Sequence, residues 1–257
     1  MNRQLWLLTL AQGLFFTNNV TFIAINGLVG LSLAPVGWMA TLPVMGYVVG
    51  SALSAALVSR TQAQWGRKKS FQTGLVVAFF SCALALWALM HQWFWLLVAA
   101  TFIAGYYSAN AQLYRFAAAE LAPVQGREKA VSWVMAGGLM GAIIGPNLAN
   151  QTKDVLGVPF AGAYLSLMGV AVLAWLVISS IDFGPTPAAP HAGQAQRSWG
   201  SLLRQPVFFV AALSAALGYG VMNLLMAATP LAMQTCGIGF SDTALVLEWH
   251  VIGMFAP

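Results

Sequence analysis

The chain is 257 residues long, 60% hydrophobic and only 7% charged, with a net charge of +5 and a mean hydropathy of +0.77. Soluble domains carry about a quarter of their residues as charges, so this composition excludes an ordinary globular protein and points to one that crosses a membrane repeatedly. The basic residues sit in short segments between apolar runs rather than along one helix face, which argues against nucleic acid as a partner and for a lipid bilayer.

The first apolar run, residues 5–31, predicts a retained span, because no small-x-small cleavage pattern ends a short core. Pro35 and Gly37 punctuate it before a second predicted span over residues 38–59. Residues 60–69, with Arg67, Lys68 and Lys69, read as a short wet loop. Further spans are predicted over residues 73–90, 93–118, 131–148 and 160–181, with polar loops at 120–129 and 151–159. Residues 182–206, rich in Pro, Ala and Gly, read as a flexible linker. A seventh span follows over residues 207–231, and an eighth opens near Thr243 and is still running at Pro257.

The predicted architecture is an all-α, polytopic membrane protein: a six-helix bundle over residues 1–181, a linker over 182–206, and one complete and one truncated span over 207–257. Arg3, the 60–69 segment, Arg115, Arg127, Lys129, Arg197 and Arg204 fall at one end of the spans and only Lys153 at the other. The positive-inside bias then puts the N-terminus and the linker in the cytoplasm, with a bacterial inner membrane as the expected location. The end inside a span predicts an N-terminal fragment of a longer protein; the alternative is a half-length, non-transporting partner subunit.

Polar groups are ordered within the spans. Gln12, Asn19 and Asn26 recur every seven residues, one face of the first span, with Phe15 and Phe22 beside them. Tyr106, Asn110 and Tyr114 follow at four-residue steps in the fourth, with Tyr107 on the edge, and Tyr219 and Asn223 repeat that spacing in the seventh. An unpaired amide in hydrocarbon costs several kcal/mol, so these faces meet either other helices or a wet cavity. Gly137, Gly141 and Gly145 share a face before Pro146, a pattern for close helix packing with a bend at the proline. Glu248 and His250, in the eighth span, are candidates for coupling to a proton, although about 200° apart on a helix and so not a dyad.

Six spans, a long inner linker and a fresh set of spans resemble the major facilitator superfamily, whose members join two six-helix halves in this way. The family's Gly-x-x-x-Asp-Arg-x-Gly-Arg-Lys motif is half kept: Gly66, Arg67 and Lys68 match, while Ser59, Ala63 and Gln64 replace the first Gly, the Asp and the first Arg. Gly141, Gly145 and Pro146 match the family's Gly-x-x-x-Gly-Pro signature. The Leu-x-x-x-Arg-x-x-Gln-Gly pattern of its proton antiporters lacks its Arg, the positions being Leu97, Thr101, Ala104 and Gly105. The resemblance implies a gating role for the first motif, and a central cavity lined by the first and fourth spans of each half, where all three polar faces fall.

These features predict a permease, a secondary transporter working by alternating access on a small organic solute, uncharged or aromatic because the first six spans offer an amide and tyrosine lining with no fixed charge inside them. No metal or cofactor is expected, since Cys82, Cys236 and the His residues are scattered. An intramembrane enzyme is the lesser reading: Ser108 and Ser132 have no His near them in sequence.

Overall fold

A helix needs about 20 residues to cross hydrocarbon, and the bilayer obliges each crossing to satisfy its own backbone. In the computed structural model, which describes residues 2–184 and 199–255, those residues form helices and no strands. In chain order they are α1 (Arg3–Leu33), α2 (Leu42–Met90), α3 (Phe94–Ala111), α4 (Tyr114–Leu121), α5 (Arg127–Ala136), α6 (Gly138–Thr152), α7 (Ala161–Ser179), α8 (Trp199–Leu203), α9 (Pro206–Thr235) and α10 (Phe240–Phe255). Among the described residues, six stretches are long and apolar enough to span a membrane, the longest being Gly37–Met90. Most of the predicted linker, residues 185–198, and Pro257 lie outside the described residues; Trp199–Leu203 within the linker is helical.

The expected wet loop at 60–69 is not a loop. Helix continues through it on both sides of one residue, Gly66, whose φ of 78° and ψ of 169° belong to a backbone region open essentially to glycine alone. Polarity had suggested a loop, but a helix end projecting past hydrocarbon is equally polar. The fold-back at Gly66 leaves 24 residues in each arm of the 49-residue α2, about 36 Å apiece. Along α3, the first arm runs parallel: Gly46 faces Val98 and Thr101, Gly50 faces Phe102, and Gly105 faces Tyr47 and Ser51. The second arm runs antiparallel, with Gly74 against Asn110 at one end and the Trp93 N–H donating to the Ala88 carbonyl at the other.

Boundaries shift elsewhere for similar reasons. The fourth span breaks at Gln112 and Leu113 into α3 and α4, and the 120–129 loop shrinks to a turn before α5. The fifth span is interrupted at Gly137, between α5 and α6, and α6 runs on through Pro146. The 151–159 loop begins late, since α6 reaches Thr152.

The first span is the axis of the bundle. Largely apolar and with no charged residue after Arg3, α1 is buried over nearly its whole length. Glycines set its closest contact: the α carbon of Gly137 lies against the Thr9 carbonyl, Gly141 against Phe16 and Thr17, and Gly145 against Thr17 and Thr21. The Thr21 hydroxyl donates to the Gly145 carbonyl at 2.8 Å across this seam. α9 reaches α1 through one stripe, Asn223, Met226, Ala227 and Pro230. α10 lies on α6 through Thr243, Ala244, Leu247 and Val251.

Two substitutions test this packing. Gly66→Ala forces a side chain into a glycine-only backbone region and is expected to cost about 1–3 kcal/mol, read as a lower melting temperature of the purified protein. Gly141→Leu drives side-chain atoms into the α1 backbone, so monodisperse protein is expected to be lost on size exclusion in detergent.

Candidate functional site

The amides of α1 form one sequence stripe but reach three different helices. Asn19 donates to the Tyr47 hydroxyl on α2 at 3.0 Å. Asn26 donates to the Phe22 carbonyl and accepts from the Tyr164 hydroxyl of α7 at 2.8 Å. Gln12 makes only a long contact, 3.9 Å, to the Met135 sulfur of α5. The neighbouring rings are already packed: Phe15 lies edge-on to Tyr107 and Tyr114, and Phe22 lies against Tyr47 and Tyr164.

The fourth-span stripe is spent at the basic end of the bundle. Tyr106 pairs with Thr61, Thr61 with Ser70, and both Ser70 and Gln62 donate to the Asn110 carbonyl oxygen. The Gln62 carbonyl oxygen accepts from Arg67, whose guanidinium also makes a two-pronged pair with Glu120 at the end of α4. Gly66 thus delivers Arg67 to the fourth span, and the matched motif residues close a polar chain within the first six spans. Lys68 stands beside it, half-buried, and Tyr114 packs on Phe71.

In the second set of spans Asn223 donates to the Tyr219 carbonyl while Tyr219 is 43% exposed. Gly27 faces Ala227 and Leu231, so Asn223, one turn before Ala227, stands about 6 Å further from the basic end than Asn19, two turns before Gly27. The two amides are therefore about one turn apart in depth. Glu248 is half-buried and accepts from Asn147 of α6 at 2.9 Å, joining the fifth and eighth spans; His250 is half-buried on a different side.

Buried polar atoms normally find partners, and the exceptions mark places where water or a ligand belongs. Among the described residues they are Gln12 Oε1, Asn18 Nδ2, Asn110 Nδ2, Asn223 Oδ1 and His250 Nε2. Among those residues no group of His, Cys, Asp and Glu could hold a metal ion. Sequence reasoning missed Asn18, Tyr47, Gln62, Glu120, Asn147 and Tyr164. The isolated tyrosines in apolar spans, and opposite charges at Arg67 and Glu120 on consecutive helix ends, were the available signals.

Helical hairpins around one central span, with polar groups turned inward, define a polytopic integral membrane protein. The chain belongs to the Major Facilitator Superfamily, whose profile matches residues 5–256. It is 33% identical over 99% of its length to the riboflavin transporter RfnT of Brucella anthropi, covering 65% of that protein. It is 25% identical to the transporter YddS of Bacillus subtilis over 85% of the chain and 54% of that protein. The chain therefore spans under two thirds of the length of these relatives. Its fold matches the crystal structure of a D-xylose-proton symporter with a TM-score of 0.64 at 18% identity, covering 98% of this chain and 66% of that one. A partially occluded, inward-open structure of the xylose transporter XylE from E. coli matches with a TM-score of 0.56 at 18% identity, over 91% and 59% of the two chains.

Tyr164→Phe is expected to strand the fully buried Asn26 oxygen and cost about 1–3 kcal/mol, visible in thermal unfolding. Glu120→Gln is expected to cost about 1 kcal/mol or less in the same assay, because its pair with Arg67 stands partly in solvent, 43% and 18% exposed respectively.

Proposed function

We propose that this chain supplies the first half, and the opening spans of the second, of a secondary transporter that carries a small, uncharged, planar organic solute across a bacterial inner membrane by alternating access, its N-terminus in the cytoplasm. The observation that carries this reading is the 33% identity to a riboflavin transporter along 99% of the chain, which makes riboflavin the first solute to test. The residue chemistry supports it. Amides and hydroxyls match the hydrogen-bonding edges of a neutral heterocycle, whereas an anionic solute would call for a buried cation.

The solute contacts are assigned to Gln12, Asn18, Asn19, Tyr219 and Asn223. Gln12, Asn18 and Asn223 each keep one buried amide atom open, and Tyr219, four residues before Asn223, keeps an exposed ring. Asn26, Tyr106, Tyr107, Asn110 and Tyr114 act chiefly in holding helices together, as their partners within the bundle suggest. Glu248 is assigned to proton coupling: it is the one carboxylate well inside a span, and its hydrogen bond from Asn147 ties its charge to the seam between the first six spans and α10.

Proteoliposomes holding the full-length transporter to which this chain contributes are expected to take up labelled riboflavin, and Asn223→Ala to lower that uptake at least fivefold, about the cost of one lost buried hydrogen bond, with unchanged yield. Absence of uptake by the wild-type protein would sink the flavin assignment. Glu248→Gln is expected to abolish accumulation driven by a pH gradient while solute exchange persists; full accumulation in that variant moves the coupling elsewhere.

A further inference from the structure

A groove on the outside of the bundle has no part in the solute path. It lies between the second arm of α2 and α7, holds 240 Å³, and is walled by Leu75, Val76 and Phe80 on one side and by Ala171, Val172 and Trp175 on the other. Its wall is apolar, and Val76, Phe80, Val172 and Trp175 are exposed. A patch of this kind on a membrane span faces hydrocarbon.

The basic end of the same groove is polar and cationic. One turn beyond Val76, Gln72 donates to the Ser179 hydroxyl of α7 at 2.8 Å, closing the groove floor between the two helices. Lys69 and Lys68 stand one further turn out. Seven residues return nearly to the same face of a helix, so Lys69 lies within about 20° of Val76 and Phe80, and Lys68 within about 20° of Leu75. Lys69 is exposed and Lys68 half-buried. Among the described residues the ion pair is that of Arg67 with Glu120, which leaves both lysine ammoniums without a carboxylate.

We propose that this groove is a binding site for one anionic diacyl phospholipid, with an acyl chain lying along Val76, Phe80 and Trp175 and the phosphate between Lys68 and Lys69. Charge complementarity selects the occupant. Hydrocarbon alone would fill the apolar half without preference, whereas two unpaired cations at headgroup level, in line with that half, favour a lipid that is negative overall. The site ties the turn at Gly66 to the surrounding leaflet, since Lys68 follows Arg67 directly.

The protein, extracted in mild detergent, is titrated with phosphatidylglycerol and with phosphatidylcholine of the same acyl chains, and bound lipids are counted by native mass spectrometry. Wild type is expected to retain one phosphatidylglycerol in preference to phosphatidylcholine by about fivefold for each lysine. Lys68→Gln/Lys69→Gln is expected to bring the two lipids level. Val76→Trp, which fills the groove from an exposed position, is expected to weaken both lipids while leaving the melting temperature unchanged. Equal retention by wild type, a preference that survives the double lysine variant, or displacement of the lipid by inorganic phosphate with Val76→Trp without effect each overturns the proposal. The last outcome would make the lysines an ion site only.

Discussion

The close approach of α1 to the fifth span is the contact on which the rest of the bundle depends. Between helices in a bilayer there is no water to expel, so association rests on packing and on hydrogen bonds that lipid cannot offer. Gly137, Gly141 and Gly145 bring no side chain of their own into that seam, and Thr21 places a hydroxyl on the Gly145 carbonyl across it. With α1 fixed there, its other sides receive α2, α7 and α9. A second small-residue seam, Gly46 and Gly50 against α3 with Gly105 in return, holds the second and fourth spans by the same means.

Polar side chains inside the bundle divide into fasteners and open groups. Asn26 with Tyr164, Asn19 with Tyr47, and the chain from Tyr106 through Asn110 to Gln62 and Arg67 join one helix to another. Each such bond is modest in a membrane, about 0.6 kcal/mol on average, so no single one holds the fold. Their value is in fixing register. Among the described residues, the open atoms of Gln12, Asn18 and Asn223 lie on the first and seventh spans, the two helices that meet through Gly27 and Ala227, and those of Asn110 and His250 lie on α3 and α10.

The spans themselves were legible because a run of about 20 apolar residues has few other uses. The glycine seam on α1 was legible too, since four-residue spacing of small residues survives without knowledge of the partner. The turn at 60–69 was not, because a charged segment reads alike whether it is a loop or two projecting helix ends; only the glycine hints at the difference. The amide stripe of α1 was seen as one face, yet its members reach α2, α5 and α7, and which helix each reaches depends on crossing geometry that periodicity does not hold. Glu120 escaped notice as a partner of Arg67 because the two are 53 residues apart and meet only once the third and fourth spans fold back.

The fold-back at Gly66 bears on how the spans can move. Two arms of 24 residues joined through a single residue have no slack between them. One residue reaches under about 4 Å, so neither arm can slide along its axis by a helical turn unless the other follows. The second and third spans are thereby coupled in depth, and any shift of the pair carries Arg67 and its contact with Glu120 along with it.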